Sequence, residues 1–293
     1  MKLNAEELRL HDARSYKSGF LAVALGAFTF AAANCNGLTA TQDTTEPIWP
    51  TNGWLTSTPE EQGMDSKQLA DLVDFGAMLK LSTGGPLCRT LDSLLVVRHG
   101  KMVAEAYYAP YAAGIPHAAY SVTKSVISTL TAIASKEGLL DSISHRVLDY
   151  FDRSSIANLD ERKEAITVQN LFDMTSGLEW TEQLGTRIPD IKTDEQMFSN
   201  SNWVKFILDR PMSSAPGDTF NYDSGNPHLL SAILTKLTGH SALDYAKAKL
   251  FGPLGISDVS WFHDPQGISS GGVGLWLEPR DMAMVGNSRG QRA

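Results

Sequence analysis

Cysteine is nearly missing. With only Cys35 and Cys88 in 293 residues, the chain has neither a disulfide framework nor a thiolate set spaced for zinc, although the two could pair in an oxidising compartment. Histidine is also sparse. His11, His99, His117, His145, His228, His240 and His263 form no H-E-x-x-H or other paired spacing, which disfavours metal-assisted hydrolysis, and no cofactor is expected. Positive charge is not in excess either, with 25 Lys and Arg against 33 Asp and Glu, a net charge of −8 and a pI near 5.4. No Lys/Arg cluster is interleaved with aromatics, so nucleic acid is not an expected partner. Repeats and low-complexity tracts are absent as well. At 42% hydrophobic and 20% charged residues the composition is that of an ordered globular chain, enough for one large domain or two modest ones.

Long apolar runs are scarce, but one stands near the N-terminus. Arg14 and Lys17 precede an uncharged stretch from Gly19 to Ala33 that is short for a bilayer span and ends in small residues, the pattern of a secretory signal behind a long leader. Cleavage near Ala33 would leave Asn34 and Cys35 at the new terminus. Ala-Ala-Asn before Cys35 fits a lipoprotein signal poorly, so lipid anchoring is the weaker alternative, and a buried apolar helix is the bland one. The expected organisation is a signal peptide at 1–33, an extended Thr- and Pro-rich arm at 34–60 with Pro47, Pro50 and Pro59, and a folded domain at 61–293. The expected location is periplasmic or secreted, with no stable membrane span once the signal is removed. Oligomeric state is left open.

Within the domain, Met64 to Val73 predicts a capped amphipathic helix. Ser93 to Tyr108 predicts two strands meeting at the hairpin dipeptide His99-Gly100. Helices are predicted over Ser121 to Glu137, Val168 to Met174, Trp203 to Leu208 and His228 to Leu237. A strand pair followed by mostly helical segments argues for an α+β class with a helical insertion, not for alternating βαβ units.

Chemistry enters at Ala119-Tyr120-Ser121-Val122-Thr123-Lys124-Ser125-Val126-Ile127. Val122, Val126, Ile127, Leu130, Ile133 and Ala134 make a core-facing helical stripe, and Ser121, Lys124 and Ser128 share another face. Serine is a weak nucleophile until a base takes its proton, and lysine can be that base when its surroundings favour the neutral amine. The bland alternative is a helix-capping serine beside a solvated charge. A rival serine stands in Gly267-Ile268-Ser269-Ser270-Gly271, which matches G-x-S-x-G. No histidine follows it, so that stretch reads as a flexible loop. Further on, Pro216 to Asn226 is turn-rich, and Tyr222 and Ser224, two apart in an extended segment, point the same way.

Taken in order, the segments LLVVRHGKMVAEAYY, SVTKS, ITVQNLFDMTSGL, PGDTFNYDSGNPHLLSAILTKLTG, FGPLGI and GGVGLWLEPRDMAMVG resemble the serine hydrolases of the β-lactamase and penicillin-recognising superfamily, and within it the class C β-lactamase-like group. The resemblance implies a β-lactamase/transpeptidase-like fold, an antiparallel sheet flanked by helices with a helical subdomain. It implies catalytic roles for Ser121 as nucleophile, Lys124 as proton partner and Tyr222 as assistant, with the backbone N–H of Ser121 as half of an oxyanion hole. Ser224 stands where the family's Y-x-N motif has Asn, a departure most similar to 6-aminohexanoate-dimer hydrolases, and is expected at the substrate.

The family's third motif, K-T-G or H-x-G on a late strand, is not found. Lys236-Leu237-Thr238-Gly239 reads as the close of a helix, with Ser241 to Asp244 opening the next as a capping box. The domain is therefore expected to lack the C-terminal sheet strands. The implied activity is hydrolysis of a small amide or ester through an acyl-enzyme on Ser121. The alternatives are a D,D-peptidase or β-lactamase and, from another class, a non-catalytic binding module or truncated remnant.

Overall fold

The computed structural model describes residues 50, 51, 53–81, 91–182 and 192–290. The leader and cleavage site expected within 1–34, and Cys35 and Cys88, lie outside the described residues. The chain divides into two compact units, the described parts of which fall within Arg9–Ala113 with Gly286–Ala293, and within Gly114–Val285.

The first unit holds helix α1 (Ser66–Leu81), strand β1 (Ser93–Arg98) and strand β2 (Lys101–Tyr107). Asp65 Oδ1 accepts the Gln68 N–H at 3.0 Å and caps α1. The helix runs past the expected end at Val73 because no strong breaker occurs before Gly84-Gly85-Pro86. The hairpin forms as expected, with Ser93 opposite Tyr107 and Leu94 opposite Ala106. Its turn has φ 50° at His99 and 75° at Gly100, both positive as a type I′ turn requires. Part of the Pro-rich arm docks on this hairpin. Met102 N–H donates to Leu55 O at 2.8 Å and Ser57 N–H to Met102 O at 3.1 Å, so the outer edge of β2 is paired over that stretch.

The second unit begins with strand β3 (His117–Ala118) and helix α2 (Val122–Lys136). It continues through α3 (Glu161–Glu164), α4 (Val168–Phe172), α5 (Thr193–Phe198), α6 (Trp203–Leu208), α7 (Gly225–Thr238) and α8 (Ala242–Ala246). Strands β4 (Ser260–Trp261) and β5 (Leu275–Leu277) follow, and α9 (Pro279–Gly290) begins in this unit. The strands form an antiparallel sheet in the order β3-β5-β4.

Helices α2 and α7 pack together at the centre. Val126, Ile127, Leu130 and Ala134 of the expected stripe are buried, joined by Thr123 and Thr131, whereas Val122 and Ile133 are half-buried. Helix α7 starts at Gly225, three residues before the expected His228. Pro227 is tolerated because a first-turn residue needs no N–H partner within the helix. Every residue from Gly225 to Leu234 is buried, so α7 is the hub of the unit. Gly239, at φ 72°, ends it with an N–H bond to Thr235 O, as expected of a glycine cap. Among the described residues no helix is long and apolar enough to cross a membrane.

Candidate active site

Strand β3 pairs with β5, and Ala119 N–H continues that ladder to Leu275 O at 2.7 Å. Tyr120 then turns the chain into α2 with φ 41°, a left-handed conformation that costs a non-glycine residue roughly 1–3 kcal/mol and persists only where surroundings impose it. Ser121 follows at the N-cap position, yet its side chain makes no capping bond. Its Oγ instead accepts the Tyr222 hydroxyl at 2.6 Å and faces Lys124 Nζ at 3.3 Å.

Lys124, one turn into α2, is half-buried and saturated. Its ammonium has three N–H donors, and these reach Ser121 Oγ at 3.3 Å, Ser224 Oγ at 3.0 Å and Gly272 O at 3.0 Å. Its Nζ also lies 4.8 Å from the centroid of the Tyr222 ring. The structure thus brings together all four residues singled out from the sequence: Ser121, Lys124, Tyr222 and Ser224.

The segment carrying Tyr222 and Ser224 is fastened by its neighbour Asn221, whose N–H donates to Met174 O at 2.9 Å and whose Nδ2 donates to Trp180 O at 3.0 Å. Tyr222 and Ser224 do turn to one side. Asp223 turns into the protein and accepts the Asn226 N–H at 2.5 Å at the start of α7. Burial raises the Asp223 carboxyl to about 7, with the nearby negative charge of Glu182 adding to the effect. Ser224 is 1% exposed, and its hydroxyl donates to Glu182 Oε1 at 2.6 Å. Trp180 Nε1–H holds the other oxygen, Glu182 Oε2, at 2.9 Å. Asp194 completes an acidic group here, raised to about 6 first by burial and then by Glu182.

The rival serine is placed very differently. Ser269 is 2% exposed; its Oγ accepts the Leu243 N–H at 3.2 Å and its carbonyl accepts the Ser231 hydroxyl at 2.6 Å. The reading of Gly267 to Gly272 as a flexible loop is corrected here: Ser269 to Gly272 are buried. Asp264 Oδ1 accepts the Gln266 and Ile268 N–H groups, each at 2.9 Å. Gly271 N–H reaches His228 Nδ1 at 3.4 Å, which leaves His228 Nε2–H to donate to Asp264 Oδ2 at 3.2 Å. A Cβ on Gly271 would lie 2.0 Å from Pro227 O, and one on Gly272 2.6 Å from Ser224 Cβ. The segment is a packed wall, and it carries the Gly272 carbonyl to Lys124.

Gly272 and Glu182 are the residues that sequence reasoning missed. The glycine doublet is visible in the sequence but reads as slack, and Glu182 bears no spacing relation to S-x-x-K. Lys236 sits 5.5 Å above the Phe151 ring and Gly239 is a helix cap, so the K-L-T-G stretch is structural, as expected. Among the described residues no group of three or more His, Cys, Asp or Glu is arranged to hold a metal.

Comparison with known proteins gives a consistent picture. A family profile described as Beta-lactamase matches residues 91–286. The chain is 23% identical over 207 residues to the 6-aminohexanoate-dimer hydrolase of Paenarthrobacter ureafaciens, covering 67% of this chain and 50% of that protein. The solved structure of a Bacillus anthracis protein provisionally named a 6-aminohexanoate-dimer hydrolase superposes with a TM-score of 0.58 at 22% identity, over 74% of this chain and 55% of that one. The octameric penicillin-binding protein homologue from Pyrococcus abyssi gives a TM-score of 0.57 at 18% identity, over 78% and 57%. The chain spans about half the length of the curated relative that it matches. At these identities the structural likeness establishes the fold, β-lactamase/transpeptidase-like and of the expected α+β class. Because the matched profile runs from the start of the hairpin into α9, well over half of the sequence, the chain belongs to the Beta-lactamase family of the penicillin-recognising serine hydrolases.

Proposed function

We propose that this chain carries the acylation site of a serine hydrolase that cleaves a small amide or ester, similar in type to the 6-aminohexanoate-dimer hydrolases. The observation that carries the reading is the position of Ser121 Oγ, within hydrogen-bond reach of both the Tyr222 hydroxyl and the Lys124 amine. Ser121 Oγ attacks the substrate carbonyl, and its proton passes to the Lys124 and Tyr222 pair. Lys124 Nζ and the Tyr222 hydroxyl both reach Ser121 Oγ, so the pair serves as the base in the form in which one of the two has given up a proton. The backbone N–H of Ser121 stabilises the developing oxyanion. Collapse returns the proton to the leaving amine or alcohol and leaves an ester on Ser121. Water, giving its proton to the same pair, attacks that ester, releases the acid and restores the serine. Ser224, expected at the substrate, has its hydroxyl engaged with Lys124 and Glu182, which favours a role behind the reacting atoms.

Membership of a family of hydrolases supports this reading over a non-catalytic binding module. The substrate is a small molecule; D,D-peptidase and β-lactamase activities are the nearest alternatives, and a panel of amides, esters, D-amino-acid peptides and β-lactams separates them. The test of the mechanism is a fluorophosphonate probe with the site read by mass spectrometry. Labelling is expected at Ser121, lost in Ser121→Ala, retained in Ser269→Ala and slowed at least about 100-fold in Lys124→Ala and Tyr222→Phe, the usual scale of positioned acid–base catalysis. Labelling that survives Ser121→Ala, or wild-type protein that never labels, would overturn the proposal.

A further inference from the structure

We propose that Glu182 is a positioning residue for acylation, acting on Lys124 through the hydroxyl of Ser224. The inference rests on the role of Ser121 and Lys124 given above. A serine hydroxyl has one proton and two lone pairs, so alone it is ambiguous toward an amine: it can donate or accept. An ionised carboxylate can only accept. With Glu182 Oε1 at 2.6 Å, the single proton of Ser224 lies on the bond to Glu182, and a lone pair is left facing Lys124 Nζ at 3.0 Å. Lys124 is thereby drawn to one place, between Ser224 Oγ and Gly272 O, from which its remaining N–H or lone pair addresses Ser121 Oγ.

Glu182 is itself clamped. Its second oxygen accepts from Trp180 Nε1, and the Trp180 ring, 6% exposed, sits edge-on to Phe206 with centroids 6.4 Å apart. Gly225, the first residue of α7, faces that ring so closely that a Cβ there would lie 2.9 Å from Trp180 Cζ3. The chain Trp180 to Glu182 to Ser224 to Lys124 thus couples a packed indole to the amine beside the nucleophile.

The test is a double-mutant cycle on the full chain with Glu182→Ala, Ser224→Ala and the double variant. The readouts are the burst rate of p-nitrophenol release from p-nitrophenyl acetate, the steady-state rate, KM and thermal unfolding. Each single variant is expected to slow the burst by about 10- to 100-fold, the scale of a lost hydrogen bond to a charged group. In the Ser224→Ala background, removing Glu182 is expected to change the burst by less than about twofold, because Glu182 acts only through Ser224. Independent, multiplying effects would overturn the proposal and mark Glu182 as a merely structural contact. A loss confined to KM would assign it to substrate binding, and a loss confined to the steady-state rate would assign it to deacylation; either overturns the proposal. If Glu182→Ala does not fold, Glu182→Met, similar in length but with only a weak, uncharged acceptor, goes through the same cycle. Wild-type protein with no burst and no labelled Ser121 would overturn the functional reading and this inference with it, whereas a normal wild-type burst with indifferent Glu182 variants would overturn this inference alone.

Discussion

Ser121 and Ser269 have the same side chain and opposite surroundings. Ser121 ends a strand, sits at a helix start and has its oxygen turned to a phenol and an amine. The oxygens of Ser269 serve the backbone N–H of Leu243 and the hydroxyl of Ser231, so its replacement costs a structural hydrogen bond and not a nucleophile. Asp223 shows the same dependence on place. Its carboxyl ionises near 3.8 in an open chain and near 7 when folded, chiefly through burial. Between those values the folded state holds more protons than the unfolded one, so stability falls as pH rises from about 4 to about 7 and is flat above. Asp223→Asn keeps an acceptor for the Asn226 N–H and removes the ionisation. At pH 8 the variant is expected to be more stable than the parent, by up to about 4 kcal/mol for a shift of roughly three units, with the advantage vanishing near pH 4. Melting curves across that range check it; parallel curves for the two proteins would show that Asp223 does not carry this slope.

At the scale of elements, the segment from Asp264 to Gly274 contains no helix or strand, yet its stretch from Ser269 to Gly272 is buried. It holds the Gly272 carbonyl on Lys124 by excluding side chains where it crosses α7. Gly272→Ala is therefore expected to destabilise by about 1–3 kcal/mol through overpacking and to slow labelling of Ser121, since the wall must move away from Ser224. Gly286→Ala is the control. That glycine lies in α9, where an added Cβ would meet nothing within 4 Å, and alanine there is expected to be neutral or to stabilise by up to about 1 kcal/mol from helix propensity. Thermal unfolding with probe kinetics on both variants decides the matter; equal behaviour would remove the wall from the account. Helix boundaries reveal a related limit. Gly225-Asn226-Pro227 reads as a turn, yet it opens α7, because these residues are acceptable in a first turn and tertiary burial rewards starting there.

For the whole molecule, we propose export as part of the functional reading, since the apolar run after Arg14 and Lys17 ends in Ala31-Ala32-Ala33. Expressed with its leader, the mature protein is expected to begin near Asn34 by N-terminal sequencing, and an intact Met1 on soluble cytoplasmic protein would overturn that. Much of the fold was legible in the sequence. The hairpin with its His99-Gly100 turn, the α2 stripe, α6 from Trp203 to Leu208 and the Gly239 cap follow from φ/ψ preferences and periodicity within a few residues. The Ser121 and Lys124 spacing belongs to that class, because one helical turn sets it. Tyr222, 101 residues from Ser121, was pointed to by its motif, but only the tertiary structure decided what else closes around the pair: Gly272 lies 148 residues from Lys124, and Glu182 lies 42 from Ser224. No local rule relates residues so far apart; the packing of α2 on α7, with a wall of glycines against it, brings them within hydrogen-bond distance.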